Sequence, residues 1–121
     1  ADCGFTSPYE IAKSVLRRDY PRLPVGLLLP ICGLCTRLFA GFGLHDASTI
    51  DAVRESRYPI LFIHGTGDTF VPSEMTKEAY AACTSEKELI LVDSAEHGKS
   101  YLVEKGRVEE ALCRFLAAYT E

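Results

Sequence analysis

The chain has 121 residues, of which 47% are hydrophobic and 25% charged, and its net charge is −4 at pH 7. This length accommodates one domain with a modest core, and the composition is typical of a globular protein rather than a disordered one. The densest basic pair is Arg17-Arg18. Since nucleic-acid-binding proteins concentrate positive charge on one face, we expect no nucleic-acid partner.

Five cysteines are present, an odd number that does not suit a secreted disulfide framework. We therefore expect reduced thiols and a cytoplasmic location. The chain begins without a signal-peptide pattern, and its only methionine is Met75. We expect it to be an excised piece of a longer protein, which leaves room for a membrane anchor outside this stretch.

The first predicted element is a helix that begins at Pro8. Ser7 is a suitable N-cap, Pro8 fits the first helical position, and Glu10 stands where a capping box needs an acid. The helix should end before Pro21, since proline disrupts helix continuation.

An apolar stretch, Leu23–Leu44, follows this helix. Pro30 and Arg37 interrupt it, and the uninterrupted apolar part falls short of the ~20 residues that a bilayer requires. We expect a lid, either a mobile apolar segment or a buried helix pair, and not a membrane span. The polar segment Asp46–Ser56 should then connect the lid to the first strand.

Two short apolar runs, Tyr58–His64 and Glu88–Asp93, predict buried strands, and Pro72-Ser73 predicts the start of a helix between them. Strands joined in this way form a parallel unit in an α/β fold. Their near-continuous apolar character predicts burial on both faces. A last helix is indicated by apolar residues at helical spacing: Val108, Ala111, Leu112, Phe115, Leu116 and Tyr119.

Asp68 and His97 each follow one of the predicted strands, 29 residues apart. Functional groups of open parallel sheets lie on loops at the carboxyl ends of the strands. A carboxylate in that position can accept the imidazole N–H and stabilise the imidazolium formed in catalysis. We expect Gly65, Gly67 and Gly98 to supply the unusual backbone angles that such loops need.

The segments PILFIHGTGDTFVP and LILVDSAEHGKSY resemble the last two strands of the α/β-hydrolase superfamily. The opening, ADCGFTSP, resembles the loop after the preceding strand in serine hydrolases of the prolyl-oligopeptidase-like branch. The resemblance implies one partial domain, the C-terminal part of an α/β-hydrolase fold. Residues 1–57 would form that loop and a helical lid, and residues 58–121 the last two strands of a short parallel sheet with their helices.

By this resemblance, Asp68 is the acid and His97 the base of a Ser-His-Asp triad that acts on an ester, thioester or amide by acyl transfer. The family's nucleophile motif, G-x-S-x-G, occurs nowhere in the 121 residues. The resemblance therefore implies a serine and an oxyanion hole outside this chain, and a chain that is inactive alone. The substrate would be a small molecule or an acyl compound bound by the full-length protein, and no cofactor or metal is expected.

Alternative roles are considered for several residues. Asp2 stands where some family members place the acid, and Cys3 at a strand end is an alternative nucleophile for His97. His64 is expected to make a structural contact, and His45 to lie in the lid or at the surface. The three histidines do not suggest convergent metal ligands.

The alternative function is a non-catalytic binding or scaffold module, in which the apolar lid contacts a partner. A weaker alternative is a thiol redox protein that uses Cys32 and Cys35, although free cysteines more often pack as small hydrophobic residues. Because two parallel strands leave an open sheet edge, we also expect self-association. The most natural form is a homodimer, through edge pairing or exchange of the segment Tyr9–Leu44.

Overall fold

The computed structural model describes residues 1–119, so Thr120 and Glu121 of the predicted C-terminal segment lie outside the described residues. Helices and strands follow in the order α1 (Pro8–Asp19), α2 (Val25–Ala40), α3 (Thr49–Glu55), β1 (Ile60–Gly65), α4 (Ser73–Ala82), β2 (Lys87–Val92), α5 (Ser100–Val103) and α6 (Lys105–Tyr119). The predicted α/β class, with a short parallel sheet flanked by helices, is confirmed.

β1 and β2 pair in parallel, from Ile60 opposite Lys87 to Gly65 opposite Val92. The start of the chain extends this sheet on the other side of β1, where Asp2 forms an isolated parallel bridge with Ile63. There the Ile63 N–H donates to the Ala1 carbonyl, and the Cys3 N–H donates to the Ile63 carbonyl. β1 therefore runs between β2 and the first three residues.

Side chains alternate along β1 between two small cores. One face, with Leu61 and Ile63, packs against α6 and contains Ile90, Val92, Ala95, Val108 and Ala111, with Phe115 at its margin. The other face, with Phe62, packs against α3 and α4 through Val53, Ala79 and Cys83. This alternation places His64, two residues beyond Phe62, on the α4 side.

Burial on both faces was predicted for both strands and holds only for β1. Five of the six β1 residues are buried, whereas in β2 only Ile90 and Val92 are. The reason is that β2 has no strand on its outer edge within residues 1–119. The sequence pattern could not show this, because an apolar run looks the same in a central strand and in an edge strand.

α1 begins as predicted, and the Ser7 hydroxyl accepts the Glu10 N–H at 3.1 Å. The second half of the predicted capping box is replaced by another contact, since the Glu10 carboxylate pairs with Lys13 at 2.9 Å. The helix ends at Asp19, before Pro21 as expected, and Tyr20 N–H donates to the Leu16 carbonyl.

The stretch Leu23–Leu44, which was predicted to be a lid, contains one helix, α2, and this helix is mostly exposed. Leu29 is the one buried residue of α2, while a stripe of four apolar side chains is 50–70% exposed: Leu27, Ile31, Leu34 and Leu38. Of the two forms predicted for this stretch, a mobile apolar segment or a buried helix pair, the second is therefore wrong. Within residues 1–119, no helix is both long and apolar enough to cross a bilayer.

The polar connection between lid and sheet contains a helix, α3, that the sequence analysis missed. The Ser48 hydroxyl accepts the Asp51 N–H at 3.1 Å and caps it, and Val53 is buried against β1 and α4. A capping residue followed three positions later by an acid was the available signal. The helix has only seven residues, too few for a clear periodic pattern.

Candidate active site

Asp68 lies in the loop after β1, and the loop's own backbone holds one of its carboxylate oxygens. Oδ1 accepts the N–H groups of Phe70 at 2.9 Å and Val71 at 2.8 Å. An aspartate that bonds to backbone amides two and three residues ahead stabilises a tight turn. The carboxylate is thereby fixed with none of its side-chain surface exposed.

His97 lies in the loop after β2 and meets Asp68 across the carboxyl ends of the two strands. Its Nδ1 is 2.7 Å from Asp68 Oδ2. Because the ionised carboxylate can only accept, Nδ1 donates, and Nε2 carries the free lone pair of the neutral ring. The side chain is 45% exposed, and the Phe70 ring packs edge-on against it at 5.1 Å.

Two glycines allow these loops to touch, by a different mechanism from the one expected. A Cβ on Gly65 would overlap the Ala95 carbonyl oxygen, and one on Gly67 would lie 2.8 Å from the Ser94 oxygen. Positive φ angles occur instead at Gly98 (68°) and at Ser94 (57°). Gly65 and Gly67 thus serve close backbone approach, and among the three expected glycines only Gly98 adopts a left-handed conformation.

The pKa of the Asp68 carboxyl results from opposing effects. Burial alone would raise it, since the charged form loses solvation. Hydrogen bonds from His97 and from the N–H groups of Val71 and Phe70 outweigh burial and leave the pKa below the ordinary value for aspartate. Asp68 is therefore ionised at neutral pH and can stabilise a cationic His97.

Cys3 approaches the same site from the beginning of the chain. It has a positive φ of 50°, and its sulfur accepts the Gly98 N–H at 3.2 Å. Burial, together with the hydrogen bond to Asp2 and the charges of Asp2 and Asp68, raises the pKa of the thiol to about 11, although the Gly98 bond acts the other way. A thiol that stays protonated at neutral pH is poorly suited to the nucleophilic role considered above.

Cys3, Asp68 and His97 together present one sulfur, one oxygen and one nitrogen within 4.8 Å of one another. The sequence pattern did not predict this cluster, because its members lie far apart along the chain. A cation there would have to displace the thiol proton and compete with the His97–Asp68 hydrogen bond. The donor set can approach a metal, but its present contacts favour the hydrogen-bonded pair.

Asp2 was the alternative acid, and its carboxylate contacts Cys3. It is exposed, and its Oδ1 accepts the Cys3 thiol proton at 3.2 Å. Within residues 1–119, His97 has its carboxylate partner in Asp68 and makes no hydrogen bond to Asp2. The geometry therefore favours Asp68 over Asp2 as the partner of His97.

The other two histidines lie apart from His97. His45 stacks on Tyr9 with ring centroids 4.3 Å apart. Both residues line a cavity of about 360 Å³ between α1, α2 and the loop after α2. His64 is fully buried and hydrogen-bonded to Thr76 at 2.6 Å and to the Val71 carbonyl at 2.9 Å. Its structural contact was expected, but its position beside Asp68, at 3.2 Å, was not.

The cysteines of the redox hypothesis lie within a helix. Cys32 and Cys35 are both free and exposed in α2. Redox-active pairs of the thioredoxin type stand where a strand leads into a helix, and these two do not. Nothing in their surroundings, as far as residues 1–119 show them, connects them with the Asp68–His97 pair.

One contact at the site could not be predicted from the sequence. Arg18, near the end of α1, donates to the Thr69 carbonyl, and its guanidinium lies 5.8 Å from the centre of the Phe70 ring. Because 51 residues separate Arg18 from Thr69, local patterns could not predict the pairing. These contacts link α1 directly to the loop that carries Asp68.

Comparison with known proteins identifies one family. The family model described as serine hydrolase (FSH1) matches residues 35–98, just over half of the chain. The uncharacterized protein YqkD of Bacillus subtilis (strain 168) is 30% identical over 116 residues, which cover 96% of this chain and 38% of the relative. The chain thus spans about two fifths of that relative's length.

Among solved structures, the esterase RhEst1 from Rhodococcus sp. ECU1013 matches 56% of this chain and 24% of its own, at 22% identity and a TM-score of 0.47.

Proposed function

Because the chain belongs to the serine hydrolase (FSH1) family, we propose that it supplies the acid and the base of a Ser-His-Asp site. That site would transfer acyl groups from esters, thioesters or amides to water. The observation that carries the proposal is the 2.7 Å contact between His97 Nδ1 and the buried Asp68 carboxylate. It joins a fixed anion to a half-exposed imidazole, which is the arrangement a general base requires.

In this proposal, His97 Nε2 removes the proton from the serine hydroxyl as its oxygen attacks the substrate carbonyl. Asp68 stabilises the resulting imidazolium and keeps its Nδ1–H in place. The imidazolium then gives the proton to the leaving alcohol, thiol or amine as the tetrahedral intermediate collapses to an acyl-enzyme. Water, deprotonated by the same nitrogen, attacks the acyl-enzyme and releases the acid and the serine.

The serine and the oxyanion donors are proposed to come from a part of the protein outside this chain. No G-x-S-x-G or G-x-C-x-G motif occurs in the 121 residues, and the thiol nearest to His97 is held protonated. A base without its nucleophile cannot form an acyl-enzyme. The isolated chain should therefore be inactive.

Phe70 supports a preference for an apolar group beside the reacting carbonyl. Its ring is 48% exposed and packs against His97, so a substrate on Nε2 would meet an aromatic edge. We propose a small acyl substrate and, given the five free cysteines, a reducing cytoplasmic location.

A binding or scaffold module remains the second candidate, and the exposed apolar stripe of α2 favours it. Such a module would keep the Asp68–His97 contact as structure alone. The two candidates differ in whether a longer polypeptide that contains this chain and its neighbouring region turns over an ester.

The test is the hydrolysis of p-nitrophenyl acetate by that longer polypeptide, by the 121-residue chain, and by their His97→Ala variants. We expect turnover by the longer polypeptide, a loss of roughly 10⁴-fold or more with His97→Ala, and none above background by the isolated chain. His45→Ala, in the lid, is the matched control and should keep full activity. Turnover that survives His97→Ala would overturn the proposal, and a folded but inactive longer polypeptide would favour the scaffold.

A further inference from the structure

A second histidine, His64, lies directly behind Asp68. Its side chain has no exposed surface, and it sits near the end of β1, on the α4 side of the sheet. Its Nε2 is 2.9 Å from the Val71 carbonyl and 3.2 Å from Asp68 Oδ2. One ring nitrogen thus contacts both ends of the turn formed by residues 68–71.

Both nitrogens of the His64 ring have partners that hold the ring in place. The Val71 carbonyl can only accept, so Nε2 donates to it, and Asp68 Oδ2 lies 3.2 Å from the same nitrogen. His64 Nδ1 lies 2.6 Å from the Thr76 hydroxyl oxygen. The Thr76 hydroxyl donates to the Gly4 carbonyl at 3.0 Å, which connects this group to the loop after Cys3.

The two oxygens of Asp68 are held differently. Oδ1 is fixed by backbone N–H groups of its own turn. Oδ2 is contacted by two histidines, of which His97 is half-exposed and His64 is enclosed. The enclosed ring therefore has less freedom to move than the half-exposed ring.

We propose that His64 is a positioning residue for Asp68: its Nε2–H holds the Val71 carbonyl and lies against Oδ2, so that the carboxylate faces His97 Nδ1. This inference rests on the proposed function, which gives Asp68 its role as the acid. It adds a residue that does not touch substrate and acts only through the carboxylate. The Thr76 hydroxyl in turn orients the His64 ring.

The experiment is proton NMR of the 121-residue chain, following the low-field resonance of the His97 Nδ1–H, a signature of a short hydrogen bond to a carboxylate. Asp68→Asn should remove this signal. His64→Leu, which preserves bulk but no N–H, should shift it upfield or broaden it beyond detection. His64→Gln, whose amide can replace the Nε2–H, should largely restore it, and His45→Ala should leave it unchanged.

Thr76→Val keeps the shape of the side chain without its hydroxyl. It tests the positioning role of His64 if the His64→Leu variant does not fold. We expect it to weaken the His97 signal. In the longer polypeptide, His64→Leu or Thr76→Val should lower kcat ~10- to 100-fold with little change in KM, because a misaligned acid affects the chemical step rather than binding.

The outcomes separate the two proposals. A His97 signal that Asp68→Asn removes but folded His64→Leu and Thr76→Val variants leave unchanged would overturn the positioning role and keep the dyad. If the unmodified chain shows no such signal, the dyad itself fails, and the role of His64 fails with it.

Discussion

The carbonyl oxygen of Ala95 occupies the space where a side chain of Gly65 would stand. Gly65 ends β1 and Ala95 lies two residues before His97, so the two strand-end loops pack backbone against backbone. The Gly67 N–H donates to the same Ala95 oxygen at 3.1 Å, and the Thr66 N–H donates to the Val92 carbonyl at 2.9 Å. This close packing brings His97 to Asp68.

Gly65→Ala should therefore both destabilise the fold and separate the pair. Overpacking of this kind costs about 1–3 kcal/mol, and the loop would have to move away from Ala95. Urea unfolding measures the free energy of unfolding, and the low-field His97 resonance reports the separation. Gly106→Ala is the control, since nothing lies within 4 Å of its position and alanine favours a helix. Equal stability of the two variants would contradict this account.

The stability of the fold should fall with acid through Asp68. Because the folded-state pKa of this carboxyl is lowered, its ionised form stabilises the fold above the ordinary aspartate value of about 3.9. That contribution is lost as the pH falls further, through the folded-state pKa. Asp68→Asn should flatten the dependence of the urea midpoint on pH below about 4.

Asp93→Asn removes an exposed carboxylate at the end of β2 and serves as the control for that experiment. It should follow the wild-type profile. If Asp68→Asn retains the full acid dependence, the hydrogen bonds to its carboxylate do not contribute as argued.

Cys3 should resist alkylation. With a thiol pKa of about 11 against an ordinary value of about 8.5, its thiolate fraction at pH 8 is at least ~100-fold smaller than that of an ordinary thiol. Iodoacetamide labelling with peptide mass spectrometry should modify the exposed Cys32, Cys35 and Cys113 long before Cys3. Rapid labelling of Cys3 in the folded chain would show a reactive thiol and revive it as a nucleophile.

The isolated chain should self-associate through α2. Its four exposed apolar side chains recur every three or four residues, which is the spacing of a helix face that packs against another. Sedimentation at micromolar concentration should show species larger than the 13.4 kDa monomer, and the double variant Leu34→Glu/Leu38→Glu should shift them toward the monomer.

Leu102→Glu changes an exposed leucine of α5 and is the matched control, with no expected effect. A wild-type chain that sediments cleanly at 13.4 kDa would show that neither α2 nor the open sheet edge drives assembly.

The sequence predicted the approach of Asp68 and His97 because that approach follows from a general rule. Residues just after neighbouring parallel strands meet at one sheet edge, and the apolar runs placed both strands to within two residues. The proximity of the two side chains required no knowledge of the rest of the chain.

The other contacts of the site depend on tertiary packing that local patterns do not contain. Cys3 meets Gly98 across 95 residues, and the pairing of Arg18 with Thr69 depends on the angle at which α1 leaves the sheet. His64 appeared as an ordinary strand residue, because its position behind Asp68 requires the loop to turn back so that the Val71 carbonyl faces Nε2. The exposure of α2 likewise depends on how the chain packs, not on its hydrophobicity.

We propose that Asp68, and not Asp2, is the acid that serves His97. The most direct test is kcat/KM for p-nitrophenyl acetate in the longer polypeptide with Asp68→Asn and, separately, Asp2→Asn. We predict a loss of roughly 10⁴-fold for Asp68→Asn. We predict nearly full activity for Asp2→Asn, because the Asp2 carboxylate contacts the Cys3 thiol. If Asp68→Asn keeps its activity and Asp2→Asn loses it, the acid is Asp2 and not Asp68.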